Sequence, residues 1–219
     1  GASKTRLAAI LGAETAAALS ACFLRDVASS IELIPQYVGW HGYGVYAPAG
    51  LETELRKLLP ARFGLLLQAD ASLGNVLHRA TRDLLGAGHD CVLLVNGDSP
   101  TLPTQILTDA IDRLRKSGDR VVLGPASDGG YYLIGLKHPH QALFENIPWG
   151  TGAVARLTLE RAAAIGLPSV LLPEWYDVDD GESLEFLRDE LDGRSVRFKH
   201  GSAAAATRAR LSATAIVHP

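Results

Sequence analysis

The sequence predicts a single-domain α/β protein built on a mixed, mostly parallel sheet with helices on both faces. Three observations predict it. Short β-rich runs alternate with helical patterns, and strands separated by helices return in parallel. Runs such as Cys91–Val95 (Cys-Val-Leu-Leu-Val) carry no polar alternation, which fits strands buried on both sides. Between Leu123 and Tyr131, Gly124, Pro125 and then Asp128-Gly129-Gly130 join two strand-like runs with no helix between them, so one local antiparallel excursion is expected.

Taken in order, the chain opens on an Ala- and Leu-rich, proline-free stretch from Ser3 to about Ala28. It reads as one long helix with Leu7, Ile10, Leu11, Leu19 and Phe23 facing inward. Strands are expected at Ile31–Val38, Phe63–Leu67, Cys91–Val95, Arg120–Leu123, Tyr131–Leu136 and Ser169–Leu172. Two helical patterns between them are carried by Leu73, Val76, Leu77, Leu84 and Leu85, and by Ile106, Leu107, Ala110, Ile111 and Leu114. From Gly201 onward an Ala-rich stretch reads as a short terminal helix and tail, so residues 1–219 form one domain.

Composition narrows the function. Of the 219 residues 47% are hydrophobic and 21% charged, the balance of a folded globular chain. A formal net charge of -3 provides no positive field for a nucleic-acid polymer, whereas a small anion can still bind locally. The two cysteines, Cys22 and Cys91, sit in apolar patterns and read as small buried hydrophobes. The scattered histidines, His138 and His140 included, lack metal-site spacing. No apolar run approaches the ~18 residues of a membrane span and no signal-peptide pattern opens the chain, so a cytoplasmic protein is expected.

The acidic residues at strand ends carry the candidate chemistry. Asp98 follows the buried strand Cys91–Val95 through Asn96-Gly97, and Ser99-Pro100 turns the chain toward a helix. Ligands of open α/β sheets bind outside the carboxyl ends of strands, and a carboxylate there commonly shares Mg²⁺ or Mn²⁺ with substrate phosphates. The same spacing equally fits a carboxylate that caps the following turn or helix. A second cluster, Asp177-Val178-Asp179-Asp180, follows the last strand. It supplies either a second metal carboxylate or a cap for the next helix. Lys4 and Arg6, beside Gly1 at a helix start, could cradle a diphosphate, yet they also fit a plain solvated first turn. Their setting is not a Walker A loop, which needs glycine directly before the lysine. Asp128-Gly129-Gly130 reads as a close backbone approach to a ligand or as a tight turn. Thr151 is a candidate helix cap, and Trp149 either packs in the core or walls a pocket. An Asp-x-Asp phosphatase using Asp177 and Asp179 is rejected, because too little chain follows for its remaining motifs.

In order, the segments Lys-Thr-Arg-Leu (4–7), Gly-Asp-Ser-Pro-Thr-Leu-Pro (97–103), Leu-Gly-Pro-Ala-Ser-Asp-Gly-Gly-Tyr-Tyr-Leu-Ile-Gly-Leu (123–136), Ile-Pro-Trp-Gly-Thr (147–151) and Asp-Val-Asp (177–179) resemble a known group. It is the bacterial nucleotide-diphospho-sugar-transferase-like group of the glycosyltransferase-A superfamily, some members of which are named arsenosugar biosynthesis glycosyltransferases. The resemblance spans roughly residues 1–190. More distantly the chain is similar to phospholactate and molybdenum-cofactor guanylyltransferases.

The resemblance implies a Rossmann-like glycosyltransferase-A fold and a metal-dependent transferase using a nucleoside diphosphate-sugar donor and a small-molecule acceptor. Nucleotidyl transfer from a nucleoside triphosphate to a phosphorylated small molecule is the alternative, and a degenerate, non-catalytic nucleotide binder is the second. It places Asp98 at the metal position, with Asp128 and Asp179 as further catalytic carboxylates and Asp179 as second metal ligand. Lys4, Arg6, Gly97 and Ser99 fall to the nucleotide and its phosphates; Gly129, Gly130, Trp149 and Thr151 fall to the acceptor side.

Departures mark where binding is expected to differ. Ser72 and Asn75 stand where the family has acids, Gly150 where it has Ser, and Gly152 where Asp is common. The family also begins with an apolar strand ahead of Lys-Thr-Arg, whereas this sequence starts at Gly1, so that first strand is expected to be missing.

Overall fold

The computed structural model describes residues 5–67, 72–195, 197–198 and 200–215. Lys4, one of the expected phosphate ligands, lies outside the described residues. The elements run α1 (Thr5–Leu11), α2 (Ala13–Glu32), β1 (Tyr43–Tyr46), α3 (Glu52–Arg56), β2 (Gly64–Leu67), α4 (Leu73–Gly86), β3 (Val92–Val95) and α5 (Thr104–Arg115). They continue with β4 (Val121–Pro125), β5 (Tyr131–Leu136), α6 (Val154–Ala164), β6 (Ser169–Leu171), α7 (Gly181–Leu191) and α8 (Ala205–Ala215).

The main sheet has four strands in the order β3-β5-β4-β6, and β1 pairs with β2 in a separate parallel ribbon. Strand β5 is antiparallel to both β3 and β4, while β4 and β6 are parallel, so β5 alone runs against the others. The Leu123–Tyr131 segment is thus the antiparallel excursion expected from its turn residues. Side chains alternate across the sheet. Val122 joins the core formed by Phe23, Leu107, Leu114, Leu184 and Leu187 from α2, α5 and α7. Val121 and Leu123 join Val154, Ala155 and Ala162 of α6 on the other face. Burial of such branched side chains on both faces contributes ~1.5–3 kcal/mol each and is the main force holding the layers together.

Two expectations fail near the start. The opening helix is broken at Gly12, whose φ of +79° sits between α1 and α2. Leu7, Leu19 and Phe23 are buried as expected, but Ile10 is exposed. The residues Ile31–Val38 do not form a strand. Helix α2 runs on to Glu32, and Gln36–Val38 make a 3-10 turn after Pro35 that stops at Gly39 with φ +67°. Ile34 and Val38 are core anchors, and their burial overrides the extended preference of β-branched residues. The strand falls instead at Tyr43–Tyr46.

Ribbon β1-β2 and the main sheet share no backbone ladder among the described residues. Between them lies an apolar cavity of about 480 Å³ lined by Gly44 and Val45 of β1, Val92 and Leu94 of β3, Ala28 of α2 and Ala80 of α4. Helix α8 packs along α2, where the buried Asp26 carboxylate accepts from the N–H groups of Ala206 and Thr207 at 2.9 and 2.8 Å. That satisfies two orphan donors at the start of α8 from a residue far away in sequence.

Candidate functional site

Strands β3, β4 and β6 end at one edge of the sheet, and β5 begins there. Three loops therefore converge: 96–103 after β3, 126–130 between β4 and β5, and 172–180 after β6. Their backbones are hydrogen-bonded to one another. Asn96 N–H donates to Tyr132 C=O at 2.9 Å, and its side-chain amide donates to Tyr131 C=O at 3.2 Å. Ser127 N–H donates to Trp175 C=O at 3.0 Å. The bond that matters most runs from Val178 N–H to Asp98 C=O at 2.9 Å, because it sets Asp98 beside the acidic run Asp177–Asp180.

From the amino-terminal side Arg6 of α1 reaches the same edge. Its guanidinium lies 3.7 Å from Asp179 Oδ2 and 3.4 Å from Asp180 Oδ2. Both contacts are long and solvent-exposed, so they add little to stability. Asp98 and Asp179 are half-buried. Asp180 is the N-cap of α7: its Oδ1 accepts from Ser183 N–H at 3.0 Å, and the Ser183 hydroxyl accepts from Asp180 N–H at 3.0 Å. These bonds hold the Asp180 carboxyl below the usual carboxylate range, with Arg6 adding to the effect.

Behind the loops lies a second polar layer. The Tyr176 hydroxyl donates to Glu190 of α7 and accepts from Thr101 Oγ1 at 3.3 Å. Burial raises both the Tyr176 phenol and the Glu190 carboxyl. Tyr132, whose hydroxyl donates to Pro173 C=O at 2.7 Å, lies so close over Gly124 that a Cβ there would sit 2.3 Å from its ring. This pins β5 to the loop that carries the acidic run.

The remaining expected site residues divide. Asp128 is exposed, and its Oδ1 accepts from Gly130 N–H at 2.8 Å, closing the turn. Gly129, at φ +90°, is pressed onto the loop before α6: a Cβ would meet Gly152 C=O at 2.2 Å, and Ala155 N–H donates to Gly129 C=O at 3.0 Å. Thr151 is not the cap of α6, because the helix starts at Val154 and the cap position is Ala153. Its hydroxyl donates to Pro148 C=O at 2.8 Å and receives a long 3.4 Å contact from Ala153 N–H. Trp149 is half-buried, edge-on to Tyr131 at 6.2 Å, and walls a cleft with Asn75 and His78 of α4. Gly97 lies over Leu24 beside the apolar cavity. Ser99, expected at the phosphates, is fully buried, and its hydroxyl has no hydrogen-bond partner among the described residues.

Carboxylate oxygens are the hard donors that Mg²⁺ and Mn²⁺ take, and Asp98 and Asp179 bring them to adjoining loops. Among the described residues no group of three or more His, Cys, Asp or Glu is arranged to enclose an ion. Asn96 and Tyr131 were not singled out by sequence reasoning, nor was the pairing of Arg6 with Asp179 and Asp180. Only the Asn96-Gly97 dipeptide, a turn signal after a buried strand, pointed there.

An α/β sheet whose strand ends bring carboxylates beside Arg6 is the frame on which the similarity to a nucleotide-diphospho-sugar transferase fold rests. The chain belongs to the family described as "uncharacterized protein conserved in bacteria" (DUF2064), whose profile matches residues 31–151. Among solved structures it is similar to a provisionally named nucleotide-diphospho-sugar transferase from Desulfovibrio desulfuricans G20. The two share 28% identity over 97% of this chain and 90% of that one, with a TM-score of 0.80. At 10% identity it shares the fold of a CMP:2-keto-3-deoxy-manno-octonic acid synthetase complexed with CTP (TM-score 0.55; 79% and 88% of the two chains). The same holds for a cytidylyltransferase from Leptospira borgpetersenii serovar Hardjo-bovis strain JB197 (10% identity; TM-score 0.54; 89% and 85%). A search of curated proteins finds no match. No helix among the described residues is long and apolar enough to cross a membrane.

Proposed function

We propose that this chain is a transferase that takes a nucleoside diphosphate-sugar as donor and a small hydroxyl-bearing molecule as acceptor. The observation that carries the reading is the Val178 N–H to Asp98 C=O hydrogen bond, which sets two acidic loops side by side with Arg6 opposite. Asp98 and Asp179 would hold Mg²⁺ or Mn²⁺; the ion would neutralise charge on the diphosphate. Arg6, now shared between Asp179 and Asp180 over long contacts, can turn its fork to a phosphate at small cost. The buried Tyr176–Glu190 pair and the Tyr132–Pro173 bond keep both acidic loops in place, so the site is largely preorganised. The similarity to the Desulfovibrio structure supports this reading.

Nucleotidyl transfer is the second reading, favoured by the fold shared with a CTP-bound synthetase. A thermal-shift series separates the two: nucleoside diphosphates, their sugars and triphosphates, each with and without Mn²⁺. Ligand at ~100 times Kd adds ~2.7 kcal/mol. A Mn²⁺-dependent shift with diphosphates and their sugars supports the first reading, and one confined to triphosphates supports the second. A shift with none of them marks a non-catalytic member. Asp98→Asn removes the charge with little change of shape while leaving the backbone bond to Val178, so metal-dependent nucleotide binding is expected to vanish while far-UV circular dichroism shows the fold retained. Unaltered binding would remove Asp98 from the metal site.

A further inference from the structure

The loops that carry Asp98 and Asp179 are tied to each other twice. One tie is the backbone bond from Val178 N–H to Asp98 C=O. The other is a side-chain bridge three residues from each carboxylate. Thr101 Oγ1 donates to the Tyr176 hydroxyl at 3.3 Å, and that hydroxyl donates in turn to Glu190 of α7. The two ties close a ring made of Asp98–Thr101 on one side and Tyr176–Val178 on the other. A single hydrogen bond lets two loops pivot about it; a second one a few residues away removes that freedom. Pro100, its φ fixed by its own ring, stiffens one side.

The bridge is firmly anchored. Tyr176 is buried, and its ring packs among Trp175, Phe186 and Phe198 with centroids 6.1, 5.3 and 5.0 Å away. Glu190 stands near the carboxyl end of α7, and Asp180 caps the same helix at its start. The acidic run Asp177–Asp179 therefore lies between two pins on one stiff helix, the Asp180 cap and the Tyr176–Glu190 bond. The other Glu190 oxygen is buried against Gly201, where a Cβ would lie 2.0 Å from it. Ser202, the next residue, grips the Asp98 loop from a third side: its N–H donates to Thr101 C=O at 2.7 Å and its hydroxyl to Pro100 C=O at 3.0 Å.

We propose that Glu190 is the positioning residue of the acidic edge, setting through the Tyr176 hydroxyl the spacing and orientation of the loops that carry Asp98 and Asp179. Its consequence for a metal rests on the transferase reading; the positioning itself does not. Glu190 acts through an acceptor oxygen: by taking the Tyr176 O–H it fixes the phenol so that its own oxygen accepts from Thr101. Outer partners of this kind govern metal affinity by ~10–100-fold without touching the ion. What position 190 must supply is an acceptor rather than a charge, so an amide serves there and a hydrocarbon does not.

The test is Mn²⁺ binding to the full chain, followed by electron paramagnetic resonance of the free ion, together with hydrogen exchange of the Val178 amide read by NMR without metal. Tyr176→Phe keeps the ring and deletes both hydrogen bonds. It is expected to weaken Mn²⁺ about tenfold and to speed Val178 exchange by about the same factor. Glu190→Leu is expected to match it, Glu190→Gln to stay within about twofold of the unmodified protein, and the Tyr176→Phe/Glu190→Leu double variant to be no weaker than either single one. Far-UV circular dichroism checks that each variant folds, and Tyr176→Phe carries the test if Glu190→Leu does not. Unchanged Val178 exchange in Tyr176→Phe, or a glutamine as damaging as leucine, overturns the proposal. So does Mn²⁺ affinity lost in Asp98→Asn but unmoved in Tyr176→Phe. If the unmodified protein binds no Mn²⁺, or Asp98→Asn binds it equally well, the metal reading alone falls, and Val178 exchange still decides the positioning.

Discussion

A methyl group at position 129 has no room. Gly129 combines a φ of +90° with a Cβ position 2.2 Å from Gly152 C=O, so Gly129→Ala meets both backbone strain and a backbone clash. The strain alone costs ~1–3 kcal/mol, and urea denaturation is expected to show at least that loss, together with loosening of the loop before α6. The glycine was legible as a turn residue; its close approach to the backbone of residue 152 was not, because nothing local links the two loops. Asp26, which caps α8, and Ser99, buried where a phosphate contact was expected, are of the same kind. A side chain's type is local, but its partner is set by how distant elements pack. Glu190 makes a sharper test. Burial raises its folded-state pKa, so its favourable contribution is complete below the unfolded value of about 4.3 and is lost as pH rises through the folded value. Glu190→Gln stays neutral and can still accept from Tyr176. Its melting temperature relative to the unmodified protein should therefore climb from pH 4 toward neutrality, and a flat difference would mean the carboxyl is solvated.

At the scale of elements, helix starts were well written in the sequence where the cap is short-range. Asp180 caps α7 through a reciprocal pair with Ser183. Asp180→Ala is expected to destabilise the fold by about 1 kcal/mol, measurable by thermal melting at neutral pH. Because Ser183 holds the Asp180 carboxyl below its usual range, its contribution is present above the ordinary aspartate pKa and fades as pH falls through the folded value. The variant and the unmodified protein should therefore converge in acid. The strands Tyr131–Leu136 and Ser169–Leu171 were legible because their apolar runs are bounded by Gly, Pro or turn residues. Ile31–Val38 misled for a physical reason: β-branched residues also suit the last turn of a buried helix and the anchors of a 3-10 turn, and periodicity over so few residues cannot separate these. Gly12 splits a stretch that composition alone makes continuous.

For the whole molecule, alternation of strands and helices sufficed to place the acidic loops at one sheet edge, since strands that return through helices end on the same side. The order β3-β5-β4-β6 was not legible, because neighbours in a sheet are chosen by packing rather than by chain order. Leu133 sits fully buried at the centre of that sheet, paired with Val95 and Gly124. Leu133→Ala is expected to cost ~2–5 kcal/mol in denaturant unfolding, a large share of the stability of a domain this size.

The divide between ribbon β1-β2 and the main sheet has a consequence for how the protein keeps time. Amides deep in β4 and β5 are locked in ladders on both sides and can trade hydrogen for deuterium only when the domain opens globally. The β1 amides not bonded to β2, and those on the outer edge of β3, border an apolar cavity, and among the described residues no backbone ladder crosses it. In deuterated solvent the molecule should therefore run two clocks, a slow one in its centre and a fast one along this seam.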